Sequence, residues 1–294
     1  MIRIAVISGK GGTGKTMITA ALAHLLCGTL VLADCDVDAA NLALLLDPEL
    51  IRTEPFIGMK SAVIDSSICT GCGECEVHCR FNAVHPEGDA YQVNPFRCEG
   101  CAVCVHVCPA QAVTMQPRQT GEVMYSQTEW GHLVHARLVP GAGNSGLLVH
   151  AVKKMAMEQD RDCNLLLIDG PPGTGCPLIS TISGADIVLI VTEPSVSGLH
   201  DLKRVVAVCR QFRSRILVAI NRFDLDDSLT DSIRQWCAEE NIPLLGKVPF
   251  DAVVIDSVRL GIPVTRAGAS PAAQAIQTLK TNLEQELMYY NNKR

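Results

Sequence analysis

At 294 residues, with 48% hydrophobic and 19% charged side chains, the chain is long enough for one large domain, or one domain with a smaller guest, around a well-buried core. A net charge of −6 and only 4% aromatic residues argue against a nucleic-acid partner, which needs a basic face and, for single strands, a stacking platform. No apolar run approaches the ~20 residues that span a bilayer, and Met1-Ile2-Arg3-Ile4 has neither the length nor the flanks of a signal peptide. A cytoplasmic chain with no integral membrane association is expected.

In chain order, a β-branched run over residues 2–7 leads into a Gly-rich turn, a helix over 15–26 and a second strand over 29–33. Strand, loop, helix, strand is the start of a βαβ unit. Later strands are expected at 165–168, 187–191, 216–220 and 244–248, each a short apolar run suited to a strand covered on both faces. Helices are expected over 198–212, 228–240 and 272–287 between and after them. The fold class is therefore α/β, with a mostly parallel sheet covered by helices on both faces. A Cys-rich stretch over 58–117, ending in Pro117, interrupts this pattern, which resumes with strands near 122–126 and 133–138. The expected organisation is one domain formed by 1–57 and 118–294 with a unit inserted at 58–117.

Gly9-Lys10-Gly11-Gly12-Thr13-Gly14-Lys15-Thr16 has P-loop spacing between a strand and a helix. Backbone N–H groups of Gly11, Gly12, Thr13 and Gly14 would curl around phosphates, helped by the positive end of the helix dipole. Lys15 would reach the β- and γ-phosphates of ATP or ADP, and the Thr16 hydroxyl would sit on Mg²⁺. Leu165-Leu166-Leu167-Ile168-Asp169 is a buried strand ending in an acid, so Asp169 would hold Mg²⁺ through water.

Fourteen cysteines are too many for an average cytosolic chain, where disulfides do not persist. Eight of them form two copies of one spacing: Cys69-x2-Cys72-x2-Cys75-x3-Cys79, then Cys98-x2-Cys101-x2-Cys104-x3-Cys108-Pro109. Three thiolates of a tight run ligate one cubane and the fourth ligates the other. That assigns Cys69, Cys72, Cys75 and Cys108 to one [4Fe–4S] cluster, and Cys98, Cys101, Cys104 and Cys79 to a second. Structural zinc explains a lone CxxC but not two complete copies. Arg80 stands where the first copy would carry proline, and its charge is expected to raise the potential of the cluster that Cys79 serves.

The phosphate motif with its extra Lys10, Asp34-Cys35-Asp36-Val37-Asp38, and Gly170-Pro171-Pro172-Gly173-Thr174-Gly175 together resemble the MinD/ParA/nitrogenase-iron-protein class of P-loop ATPases. With its cysteine insert the chain is similar to MinD-superfamily ATPases that contain a ferredoxin domain. The resemblance extends to Val134-His135-Ala136-Arg137-Leu138, Asn144-Ser145-Gly146, Thr192-Glu193-Pro194 and Gly198-Leu199-His200-Asp201, to which the residues themselves give no chemical role. It implies that Lys10 crosses a dimer interface to the partner's nucleotide; read locally, Lys10 is a solvated loop lysine. It implies that Asp36 orients the attacking water, as phosphoryl transfer requires, and leaves Asp34 and Asp38 as supporting or mere loop carboxylates. Thr174 falls in a second switch that would sense the γ-phosphate. Asn221, Arg222, Pro249 and Asp251 match positions that contact adenine, and serve equally well as strand-end caps.

The resemblance further implies a nucleotide-dependent dimer, a homodimer or a heterodimer with a paralogue, and slow hydrolysis until a redox or maturation partner binds. Three functions follow: an ATP-gated electron carrier through the two clusters, a factor for iron–sulfur or metallocofactor maturation, and a positioning ATPase. Of the remaining cysteines, Cys27, Cys35, Cys163, Cys209 and Cys237 read as small buried hydrophobes. Cys176 lies where the nitrogenase iron protein has a dimer-bridging ligand, but no second such cysteine accompanies it and a structural role is expected. A stripe of Ala272, Ile276, Leu279, Leu283 and Leu287 predicts a last helix packed on the sheet; with only Lys280, Lys293 and Arg294 basic, it lacks the polar face of a membrane-surface helix.

Overall fold

In a computed structural model, residues 1–26, 28, 30–159 and 163–291 are described. Cys27, Thr29, Lys293 and Arg294, named above, lie outside them. The chain opens with β1 (Ile2–Ser8), α1 (Lys15–Leu25), β2 (Leu30–Asp34) and a short α2 (Ala43–Leu46). A long strand β3 (Glu49–Ile64) leads out to α3 (Glu74–Val77), β4 (Val84–Glu87), β5 (Ala90–Val93) and α4 (Val103–Val107), and the equally long β6 (Val113–Thr128) leads back. Then follow β7 (Gly131–Leu138), α5 (Ser145–Gln159), β8 (Leu165–Pro172), α6 (Cys176–Ile182), β9 (Ile187–Thr192), α7 (Val196–Cys209) and β10 (Arg215–Asn221). The chain closes with α8 (Asp227–Glu239), β11 (Leu244–Val248), α9 (Ala252–Arg259) and α10 (Pro271–Asn291).

Nine strands form one sheet in the order β11-β10-β9-β1-β8-β2-β7-β6-β3. The run from β11 to β7 is parallel, and β6 and β3 add antiparallel at one edge. Alternate residues of each central strand enter opposite cores. Ala5 and Ile7 of β1 join Leu166 and Ile168 of β8 beneath α5, α6, α7 and α8; Ile4 and Val6 join Leu167 beneath α1, α2 and α10. Burial on both faces explains why these strands read as continuous apolar runs. The α10 stripe is fully buried at Ala272, Ile276, Leu279 and Leu283, each large side chain contributing roughly 1.5–3 kcal/mol. No described helix is long and apolar enough to cross a membrane.

The strand expected at 122–126 is the last part of β6, and β3 has no counterpart among the expected strands. Most of β3 is exposed on both faces, so it carries no periodic signal; pairing with β6 along its whole length makes it a strand. Pro55 is tolerated because β3 is the sheet edge. Pairing of β6 with β7 starts only at Gly121, opposite Phe56 of β3. Beyond that point β3 and β6 leave the sheet as a two-stranded ribbon, and residues 65–112 join its ends and pack back on it. The expected boundaries at 58 and 117 fall on this ribbon. Its base is irregular: the register shifts on either side of Ile57, and Gly58 packs so closely on Thr120 that a Cβ would come within 2.3 Å of the Thr120 hydroxyl.

Candidate nucleotide site and cysteine module

The turn between β1 and α1 is built for close approach of an anion. Gly14 precedes the helix at φ 87°, and α1 has no side-chain cap, so its first N–H groups are left for a ligand. A Cβ on Gly14 would fall 2.2 Å from Asn221 Nδ2, which donates to the Thr13 carbonyl at 2.8 Å. Gly11 and Gly12 face open space. The Thr13 hydroxyl is buried without a hydrogen-bond partner, a polar group left waiting in the loop wall.

Behind the loop, Lys15 is 6% exposed and its Nζ lies 3.2 Å from both oxygens of the fully buried Asp169 and 3.7 Å from Asp36 Oδ2. Thr16 and Thr19 hydroxyls donate to Asp169 at 2.7 and 2.9 Å. Thr19 is a member of this site that motif spacing did not single out. Asp34 is also fully buried and accepts from the N–H groups of Asp36 and Leu42, pinning the loop that follows β2. Burial, then the neighbouring Asp169, push the Asp34 carboxyl up to about 8. Burial also raises Asp36, against the pull of Lys15.

A cleft of about 990 Å³ opens in front of these groups. Gly11 to Thr16, Asp36, Asp38, Asn221, Arg222, Pro249 and Asp251 border it, with Leu44, Ile255 and Val258 as an apolar wall. Its size and mixed lining suit a nucleotide. Asp251 also caps α9 through Val253 N–H at 3.0 Å and holds Ala272 N–H at the start of α10 at 3.1 Å. Thr174 is half-buried on the turn after β8 and does not border the cleft. Lys10 is not a solvated loop lysine: its Nζ contacts Glu193 Oε1 at 2.7 Å, Ser197 Oγ at 2.8 Å and Ser195 Oγ at 3.1 Å. Glu193 also pairs with Arg222 at 3.2 Å, and Arg222 donates to the Gly12 carbonyl at 3.1 Å. Glu193 therefore ties Lys10 and the P-loop together, a role that sequence proximity alone does not reveal.

Residues 65–112 repeat one conformation at an offset of 29 positions. Gly71 and Gly100 have φ 67° and 68°, Gly73 and Ala102 80° and 62°, Asn82 and Gln111 48° and 54°. Ser67 N–H donates to Asp65 Oδ1 as Phe96 N–H donates to Asn94 Oδ1, both at 2.9 Å. Ala83 N–H meets Cys79 Sγ at 3.4 Å as Ala112 N–H meets Cys108 Sγ at 3.3 Å. The copies are crossed: Asp65 N–H donates to Ala112 O at 2.8 Å, and Asn94 N–H to Ala83 O at 2.6 Å. The end of each copy, which carries its fourth cysteine, is thus tied to the start of the other.

Cys79, Cys98, Cys101 and Cys104 border one small cavity with apolar walls from Ala62, Ala83, Val84 and Val93. Burial pushes the Cys75 and Cys104 thiols up, with Cys69 and Cys72 adding to the first and Cys98 and Cys101 to the second. Such thiols stay protonated unless a metal stabilises the thiolates, and a sulfur-only donor set around a cavity suits an iron–sulfur cubane. No group of three or more His, Cys, Asp or Glu among the described residues is arranged to hold a single metal ion. Outside the module Cys35, Cys209 and Cys237 are buried and Cys163 half-buried, whereas Cys176 is exposed at the start of α6, beside a cavity of about 740 Å³.

Fold and cleft together define a P-loop nucleotide-binding protein. The model of the CobQ/CobB/MinD/ParA nucleotide binding domain matches residues 4–264, and the chain belongs to that family. It is 35% identical over 224 residues to the uncharacterized protein MJ0578 of Methanocaldococcus jannaschii, covering 76% of this chain and 78% of that one. An iron-sulfur cluster carrier protein of Pyrococcus abyssi is 23% identical over 308 residues, covering 97% of this chain and 86% of that one. Among solved structures, the septum site-determining protein MinD of Pyrococcus horikoshii, complexed with Mg-ADP, has the same fold at TM-score 0.59 and 20% identity, covering 98% of each chain.

Proposed function

We propose that this protein is an ATPase that couples its nucleotide state to electron transfer through two [4Fe–4S] clusters held by residues 65–112. The observation that carries the proposal is the continuity between the two sites. The loop from Asp34 to Asp38 runs through α2 directly into β3, and Leu138 N–H at the end of β7 holds Val37 O at 3.4 Å. A rearrangement around Asp36 is thereby passed to the strands that carry the cysteines.

At the cleft, Lys15 would leave Asp169 for the incoming phosphates. Thr16 and Asp169 would then hold Mg²⁺, which neutralises phosphate charge as the bond breaks. Asp36, 3.7 Å from Lys15, would orient the attacking water. Lys10 would leave Glu193 to reach the nucleotide of a dimer partner. In the module, Cys69, Cys72, Cys75 and Cys108 would hold one cluster and Cys79, Cys98, Cys101 and Cys104 the other, each supplying one-electron chemistry. The test is an anaerobic, EPR-monitored redox titration with no nucleotide, with MgADP and with a non-hydrolysable MgATP analogue. Midpoints that differ between nucleotide states support the coupling; identical titrations remove it.

A second reading is favoured by the likeness to proteins described as iron-sulfur cluster carriers. Cys72 and Cys101 are exposed, so each ligand set has one thiolate that an acceptor protein could reach. Transfer of iron to an apo-ferredoxin on ATP addition, with loss of the chain's own EPR signal, would establish that reading instead. A MinD-like positioning role agrees with the solved neighbours in fold alone.

A further inference from the structure

The two halves of the cysteine module match in backbone but not in charge. Around the run Cys69–Cys75, Glu74 and Glu76 flank Cys75, Asp65 starts the turn, and Asp89 packs its carbonyl on Gly71. At the equivalent places of the second copy stand Val103, Val105, Asn94 and Lys60, the last with its carbonyl on Gly100. Arg97 precedes Cys98 where Ile68 precedes Cys69, and Arg80 follows Cys79 where Pro109 follows Cys108. Only Glu99, facing Thr70 across the repeat, runs the other way. The first ligand set is therefore ringed by four acids and no Lys or Arg, the second by three bases and one acid. All eight charged residues are exposed, but they stand within a few residues of the thiolates or pack on the ligand loop itself. Charges closer than ~8–10 Å still act on one another at physiological salt.

Adding an electron to a cluster adds negative charge. Asp65, Glu74, Glu76 and Asp89 oppose that addition on one side, while Lys60, Arg80 and Arg97 favour it on the other. Solvent access does not separate the two, since the middle cysteine of each run, Cys72 and Cys101, is exposed. The exchange also has a direction in the molecule. The ligand loop of the basic half packs on Lys60 to Ala62 of β3, the strand that continues into the sheet, whereas the ligand loop of the acidic half packs on Asp89 and Tyr91 of the β4–β5 hairpin.

We infer that these residues polarise the module, so that the set Cys79, Cys98, Cys101 and Cys104, on the side of the ATPase, takes the first electron and the outer set Cys69, Cys72, Cys75 and Cys108 the second. The inference rests on the reading that residues 65–112 hold two clusters. It is tested on the full chain, reconstituted anaerobically, by iron analysis and EPR redox titration. The wild type is compared with Glu74→Gln/Glu76→Gln and with Arg80→Gln/Arg97→Gln, exposed substitutions that remove the charge and keep a polar side chain. Glu76→Gln keeps an acceptor for the hydrogen bond from Tyr91.

The wild type titrates in two one-electron steps. At a fixed potential Glu74→Gln/Glu76→Gln raises the reduced-to-oxidised ratio of the lower couple at least three-fold and leaves the upper couple in place. Arg80→Gln/Arg97→Gln lowers the ratio of the upper couple at least three-fold and leaves the lower. A single unresolved step, or both variants moving the same couple, overturns the polarity while iron near about eight atoms per chain leaves the module reading standing. Iron far below that in the wild type overturns both.

Discussion

Gly14 is constrained twice, by a φ of 87° that a side chain resists and by the Asn221 amide lying where a Cβ would go. Gly14→Ala is expected to cost about 1–3 kcal/mol of stability and to abolish binding of a fluorescent ATP analogue; wild-type affinity would show that the loop adapts. Glu193 is a different kind of residue, partly buried and holding two cations. Glu193→Gln should change stability by less than ~1 kcal/mol, the scale of partly exposed ion pairs. It should raise the dimer fraction with an ATP analogue in analytical ultracentrifugation, because Lys10 is released. Asp34 gives the nucleotide-free chain a pH dependence with a definite sign. Its folded carboxyl titrates near about 8, its unfolded one near ~4. Between those values the folded state holds a proton that the unfolded state has lost, so stability falls as pH rises. Urea unfolding without Mg²⁺ should give a lower free energy at pH 8 than at pH 6, and Asp34→Asn should flatten the difference.

Among the elements, α6 depends on one side chain that no motif announces. Lys153 of α5 is 5% exposed and donates to the carbonyls of Ser180, Thr181 and Ser183 at 2.7, 2.8 and 2.7 Å, closing the C-terminal end of the helix that begins with Cys176. Lys153→Met leaves those carbonyls without their donor, and a loss of at least roughly 1.5–3 kcal/mol is expected in chemical denaturation. Lys153 and Glu193 were not legible in the sequence because their partners are distant along the chain or gain meaning only when the chain folds. The strands β1, β8, β9 and β10 were legible because burial on both faces leaves a nearly unbroken apolar run. The strand β3 was not, because most of its side chains face water and its partner begins 49 positions further on. The P-loop and cysteine spacings were readable for the opposite reason: phosphate and metal geometry act over a few adjacent residues, so the constraint is written locally.

For the whole molecule, the insert enters and leaves through paired neighbours, Ile64 opposite Val113. Replacing residues 65–112 by Asn-Gly, a two-residue hairpin turn, is expected to leave a folded chain that still binds nucleotide, since lengthening or shortening a loop changes its closure cost by only ~0.6 kcal/mol per doubling. Circular dichroism and a nucleotide-binding isotherm check this, and an unfolded product would show that the module supports the sheet. The ribbon that carries the module has a mechanical consequence. From Ile57 to Ile64 it extends beyond the sheet for eight residues, roughly 26 Å at the rise of a strand, with the second cysteine loop packed back on it at Lys60 and Ala62. A tilt of about 10° at its irregular base, where Gly58 and Thr120 interlock, displaces the far end by about 4 Å on that length. The ribbon is a lever: a change too small to disturb the packing around the phosphate loop becomes, at the ribbon's far end, a movement as large as an atom is wide.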